Sequence, residues 1–255
     1  VNQLTGGKGI DIITGAAGDD ILVGGQGNDI ITGGNDNDSL TGGSGNDTFN
    51  IDAGIDSIDD LGGTGAADED DVLIVSNSAT VNATNIIKFV STNASKNEGT
   101  ANLTAKSSGG HIDMTLSTAG AYTITGSAST DTLIAGTGND TLQITSAGDG
   151  NSDTMDGGSG SDTLKLASGS NIFSDNNKLK NIETIVANAS GSSVTLTGQS
   201  ESFTITGGAG IDTIIGGSGV DTITGGAVND IITGGSGNDI ITIDSGEDKV
   251  KDLGG

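Results

Sequence analysis

The residues of this chain best suited to chemistry are aspartates, and they come at a fixed interval. Asp11, Asp20, Asp29, Asp38, Asp47 and Asp56 fall nine apart near the start, and Asp212, Asp221, Asp230, Asp239 and Asp248 nine apart near the end. Asp131 and Asp140 keep the same interval in the middle. An insertion, SAGDGNSD, breaks the beat, and it resumes at Asp153 and Asp162. Two places after each aspartate stands an apolar residue: Ile13, Leu22, Ile31, Leu40, Phe49 and Ile58 in the first set, Ile214, Ile223, Ile232, Ile241 and Val250 in the last. Carboxylates repeated in this way form a donor set for a hard cation rather than a catalytic constellation. Calcium takes about six to eight oxygens, from carboxylates and backbone carbonyls, in flexible geometry, whereas magnesium demands a rigid octahedron and keeps its waters. With no Cys and one histidine, His111, the chain does not suit zinc or copper.

The elements that must position these carboxylates are legible in the same phrase, for example GGSGNDIIT. Nine residues are too few for a helical hairpin. The Ile-Ile-Thr and Thr-Ile-Thr triplets are β-branched and favour a short strand. The glycines supply positive φ for a tight turn at no steric cost. Turn, strand, turn, strand gives a flat coil that advances one strand layer every two phrases. The apolar beat then points inward and the aspartates line the turns. Neighbouring turns lie about 4.8 Å apart, and carboxylates that close repel. Each phrase is therefore expected to pair with the second one after it: Asp11 with Asp29, Asp20 with Asp38, Asp212 with Asp230, Asp221 with Asp239. A single Gly-Asn-Asp string is ordinary turn composition. Six consecutive phrases in register at one end, and five at the other, are not.

Composition agrees. Of 255 residues 46 are Gly, none is Pro, Cys or Trp, and 34 acids face 9 bases for a net charge of −25. Only five acids are Glu (69, 98, 183, 201 and 247), so the negative charge belongs to turns and metal sites rather than helix faces. Such a charge excludes a nucleic-acid backbone and disfavours an anionic membrane as partner. It also makes the metal-free chain self-repelling, and about eight to twelve bound Ca²⁺ are expected to offset it as part of folding. No apolar run is long enough to span a membrane. No signal peptide opens the chain, which begins and ends on the repeat pattern and is expected to be a piece of a longer polypeptide.

Five stretches follow along the chain. Residues 1–63 are a repeat block, 64–125 a Thr/Ser/Asn-rich β segment, 126–165 a short repeat block with the insertion, 166–205 plainer β coils, and 206–255 a final repeat block. Residues 64–71, TGAADEDD, read as a polar joint. Residues 83–91, ATNIIKFVS, suit either a turn of helix or a strand. The phrase IDAGIDSID has lost its glycine pair, so Asp52 and Asp56 close the first block with one last, weaker site. Gly24–Gly63 and Gly216–Gly255 match at a constant offset of 192, which points to a larger tandem module.

The nonapeptide is similar to that of the RTX (repeats-in-toxin) calcium-binding family. The stretches from DVLIVS through TANLTA to TLIAGTGNDTL, and from LKNIETIVA to IIGGSGVDTI, resemble parts of large RTX adhesins and calcium-dependent S-layer proteins of Gram-negative bacteria. The resemblance implies a secreted, cell-surface protein exported by a type I machine. The fold expected is all-β: a right-handed parallel β-roll or β-solenoid whose calcium-loaded turns alternate with metal-free coils.

No catalytic machinery is expected. His111 lies two residues from Asp113, on one face of a strand, and an exposed strand histidine is the simpler reading. Neither HExxH nor GxSxG occurs. Tyr122 and four Phe are too few for a sugar-stacking groove, and Phe49 belongs to the core. The function expected is that of a structural segment of an S-layer or fibre, self-associating when calcium arrives. The alternatives are an RTX adhesin segment, binding a cell-surface glycan or ice, and the accessory domain of an exported enzyme. Outward Thr14, Thr32, Thr41, Thr224 and Thr233 motivate the ice reading.

Overall fold

A computed structural model describes residues 1–63 and 70–252. The chain winds into a β-solenoid of parallel strands with almost no helix. One face is a thirteen-stranded sheet running from Gln3–Lys8 to Ile240–Thr242. This sheet passes through all five stretches distinguished in the sequence. The opposite side is divided among three five-stranded sheets.

In the repeat blocks each coil is two phrases long. Leu4 pairs with Leu22, Leu22 with Leu40 and Leu40 with Ile58 on the long face. Ile13, Ile31, Phe49 and Leu73 stack in the same way on the other. The period-two alternation of a strand sends these side chains inward. Leu22, Ile31, Leu40, Phe49, Ile58, Ile214, Ile223 and Ile232 are all buried, and Ile241 packs against them part-buried in the last coil. Burying each such side chain contributes about 1.5–3 kcal/mol.

The plainer stretches continue the same solenoid with longer coils. Residues 83–91 are strand: Thr80–Ile86 joins the long face and Lys88–Val90 starts a new sheet. The coil there has three strands, because Lys96–Asn97 still belongs to the previous short sheet. The same exchange recurs where Gly169–Ile172 opens the third short sheet while Leu179–Lys180 closes the second. The insertion forms a single helical turn, Asp149–Ser152, and lengthens the coil so that Asp131 meets Asp153 at a separation of 22 residues instead of 18.

The turns need positive φ at the second and fourth places of the phrase. Gly25 sits at φ 120°, and a Cβ there would strike the carbonyl oxygen of Gly7. Ala16, Asp36 and Val228 hold such places without glycine, at φ 83°, 76° and 73°. The polar joint expected at 64–71 lies outside the described residues except for Asp70 and Asp71. For Asp71 the expectation is corrected, since its side chain is only 2% exposed. Among the described residues no helix is long and apolar enough to cross a membrane.

Candidate metal centre

The aspartates form ladders that run from coil to coil. The backbone N–H of Asp11 donates to Oδ1 of Asp29 at 2.8 Å, and that of Asp29 to Oδ1 of Asp47 at 2.8 Å. This column stands just before the strands of the short sheet. A second column stands just before those of the long sheet, where Asp20 donates to Asp38 and Asp38 to Asp56, at 2.8 and 2.9 Å. In the middle of the chain Asp131 donates to Asp153 at 2.9 Å and Asp140 to Asp162 at 2.7 Å. At the far end Asp212 donates to Asp230 at 2.8 Å, Asp221 to Asp239 at 2.9 Å and Asp230 to Asp248 at 2.9 Å. Each of the fifteen aspartates on the nine-residue beat is thus in a ladder, next to the partner two phrases away, whereas Asp52 is in none.

Burial makes this arrangement electrostatically costly. Of the fifteen only Asp11, Asp239 and Asp248, in the first and last coils, are not fully buried. Each carboxylate except that of Asp11, which begins its column, spends Oδ1 accepting a backbone N–H from the coil before it. For Asp11, Asp20, Asp29, Asp38, Asp56, Asp140, Asp162, Asp212, Asp230, Asp239 and Asp248 the second oxygen, Oδ2, is buried with no hydrogen-bond partner in the protein. Burial, and then the neighbouring Asp38 and Asp52, push Asp56 up to about 6. Burial and Asp162 do the same to Asp140, and burial and Asp230 to Asp212. Asp38, Asp162, Asp221 and Asp230 are also raised, with burial the largest cause. Nine basic residues are too few to neutralise 34 acids.

The orphaned oxygens do not point at random. A Cβ added to Gly15 would stand 2.6 Å from Asp20 Oδ2 and 2.5 Å from the carbonyl oxygen of Gly33, one coil on. The first glycine of the phrase therefore leaves open a pocket on which a carboxylate oxygen and a carbonyl oxygen converge. Asp29 Oδ2 and Gly42 O meet at Gly24 in the same way, as do Asp212 Oδ2 and Gly225 O at Gly207. Buried, unpartnered, all-oxygen donors are what calcium requires and what no neutral hydrogen-bonding partner here supplies. Two of the fifteen are satisfied otherwise: Asp131 Oδ2 accepts from the Ser127 N–H at 2.7 Å and Asp221 Oδ2 from the Gly217 N–H at 3.0 Å.

The ladders also take in residues that the nine-beat missed. Asp71 Oδ1 accepts the N–H of Asp47, and its Oδ2 that of Gly62, at 2.8 and 2.7 Å. Burial, then Asp47 and Asp60, push its carboxyl up to about 7. Asp60 receives the N–H groups of Gly42 and Gly43. Glu183 Oε2 accepts the N–H of Asp162 at 2.7 Å. The signal was present, since Asp71 and Glu183 each stand two places before an inward residue, Leu73 and Ile185. In the plain coils Tyr122 and Phe203 fill that slot, both 2% exposed, and donate their N–H groups to Asp140 and Asp221.

His111 and Asp113 flank inward Ile112 on one strand, and Asp113 Oδ1 accepts the N–H of Thr115 at 2.8 Å. All four Phe and Tyr122 are buried. The threonines of the ice reading are spread over several sheets: Thr14 pairs with Thr32 on a short one, and Thr41 and Thr224 lie on the long one.

Together these features define a parallel β-solenoid whose stacked turns present carboxylates and carbonyls to a divalent cation. The chain matches the RTX calcium-binding nonapeptide repeat over residues 1–31, 23–58, 118–143, 147–174, 204–232 and 216–250, more than half its length. It belongs to that calcium-binding repeat family, whose β-solenoid is a structural and usually non-catalytic fold. No curated protein matches the chain.

Proposed function

We propose that this chain is a non-catalytic, calcium-dependent structural segment of a secreted bacterial cell-surface protein, part of an S-layer or extracellular fibre. The observation that carries the reading is the row of buried Oδ2 atoms with no partner in the protein, most of them facing a glycine turn. The aspartates of the three repeat blocks hold the ions, with carbonyls such as those of Gly33, Gly42 and Gly225 beside them. A bound ion supplies charge neutralisation and cross-links one coil to the next.

Extracellular calcium modules bind at about 10⁻⁴–10⁻³ M. Below that concentration the repelling carboxylates keep the chain unfolded and able to be exported. Above it the coils stack. The test is far-ultraviolet circular dichroism in EGTA and after calcium addition, followed by electron microscopy of the calcium form. A β signal that is lost in EGTA and restored by calcium supports the folding step, and ordered sheets or fibres support the lattice role. A β signal indifferent to chelation rules the reading out.

A second reading, an adhesin segment that binds a glycan or ice, draws on one further observation. Thr123, Thr141, Thr163, Thr184, Thr204 and Thr222 stand in one register column on the long face, each beside an inward aliphatic residue. Monomeric protein retained on a glycan column, or thermal hysteresis, would favour it.

A further inference from the structure

The last phrase of each end block departs from the rest. In IDAGIDSID and IDSGEDKVK the glycine pair is replaced by Ile-Asp, at Ile51-Asp52 and Ile243-Asp244. At the far end the change puts a third carboxylate beside a ladder pair. Carboxylate oxygens of Asp230, Asp244 and Asp248 lie within 4.8 Å of one another. Asp230 is 1% exposed, and its Oδ2, like that of Asp248, is buried with no partner in the protein. The same three places in the first block hold Asp38, Asp52 and Asp56, but their carboxylates do not gather within 4.8 Å of one another. There the Oδ2 atoms of Asp38 and Asp56 converge, since a Cβ on Gly33 would stand 2.6 Å from one and 3.1 Å from the other. Both are buried and unpartnered, so the first block ends on a ladder pair without a third carboxylate in the cluster.

We infer that Asp230–Asp244–Asp248 is a tri-aspartate calcium site, closing the last block, that binds more tightly than the sites between glycine turns and fills first. The inference rests on the calcium reading above and assigns an order of filling within it. Elsewhere the ion meets two aspartates and neutral carbonyls, so its double charge is just balanced. At the end of the last block it meets three negative charges, and calcium affinity rises with the charge count of the ligands. Asp244 is exposed, which leaves this site open to solvent and able to load before the neighbouring coils are locked. The residue that replaces glycine there brings a ligand.

The experiment is calorimetric titration of calcium into the full chain, as wild type and as Asp244→Asn. Asn keeps an oxygen to accept the Gly226 N–H that Asp244 Oδ2 now holds at 2.9 Å. Glu98→Gln, which removes a lone exposed charge paired with Lys96, is the control. Wild type is expected to show one tight ion, bound about tenfold tighter than the rest. The Asp244→Asn variant should lose that tight class and keep the weaker one, while the control keeps both. A single affinity class in wild type, or an unchanged tight class in the variant, overturns the inference and leaves the calcium reading standing. No calcium uptake by wild type at all overturns the calcium reading itself.

Discussion

The backbone N–H of Asp20 donates to Oδ1 of Asp38 at 2.8 Å, one full coil further along the chain. The carboxylate of one turn thus caps the backbone of the turn before it, and only its other oxygen is left for a cation. The two roles can be separated. Asp38→Asn keeps an acceptor for the N–H and loses the charge, so it should lower calcium affinity while the calcium-saturated fold survives. Asp38→Ala also strands the buried N–H, at a further cost of about 1–3 kcal/mol. Thermal melts in saturating calcium should therefore rank wild type and Asn close together and Ala well below them.

Protons should partly replace calcium. Asp56, Asp140 and Asp212 are raised to about 6 and Asp71 to about 7, against an unfolded value near 3.8. In that window the metal-free folded chain binds more protons than the unfolded one, so its stability falls as pH rises. The contribution is fully present below about pH 4 and is lost as pH passes through 6 to 7. In EGTA the β signal should be stronger at pH 5 than at pH 7.5, and saturating calcium should flatten the difference. The opposite pH trend in EGTA would mean that the ladder carboxylates are not raised.

The first glycine of the phrase should resist even alanine. In Gly15→Ala the new methyl would lie 2.5 Å from Gly33 O and 2.6 Å from Asp20 Oδ2, closer than a Cβ tolerates. The variant is expected to bind one calcium fewer and to melt earlier, as read by calorimetric titration and circular dichroism.

At Val228 the opposite substitution should help. This β-branched residue sits at φ 73°, a place glycine fills in other phrases, and such a conformation costs about 1–3 kcal/mol. Glycine's own entropy returns roughly 0.5–1 kcal/mol of that. A small rise in melting temperature is expected for Val228→Gly, and a fall would show that the valine side chain contributes packing that outweighs its strain.

Core and surface should differ sharply. Phe49 is fully buried between Ile31 and Leu73, so Phe49→Ala should cost about 3–5 kcal/mol. Thr123→Ala, on the outer side of the long sheet, should stay within about 0.5 kcal/mol. Chemical denaturation in saturating calcium measures both.

The sequence by itself determined the coil, the core and the ladder positions. Residues two apart lie on one face of a strand, and two phrases make one turn, so Asp20, Leu22 and their successors had their places fixed by local periodicity. What only the tertiary structure decided is how the plain stretches join in. Asp71 and Glu183 extend the ladders although no glycine turn announces them, and Tyr122 and Phe203 occupy the same slot with no charge at all. The exchanges of the short sheet at Lys88–Val90 and Gly169–Ile172 are likewise invisible in any nine-residue window. Coil lengths there change from one turn to the next, and which strand meets which depends on the coil already laid down beneath it. The convergence of Asp244 on Asp230 and Asp248 has the same origin, since residues distant along the chain become neighbours only when the coils stack.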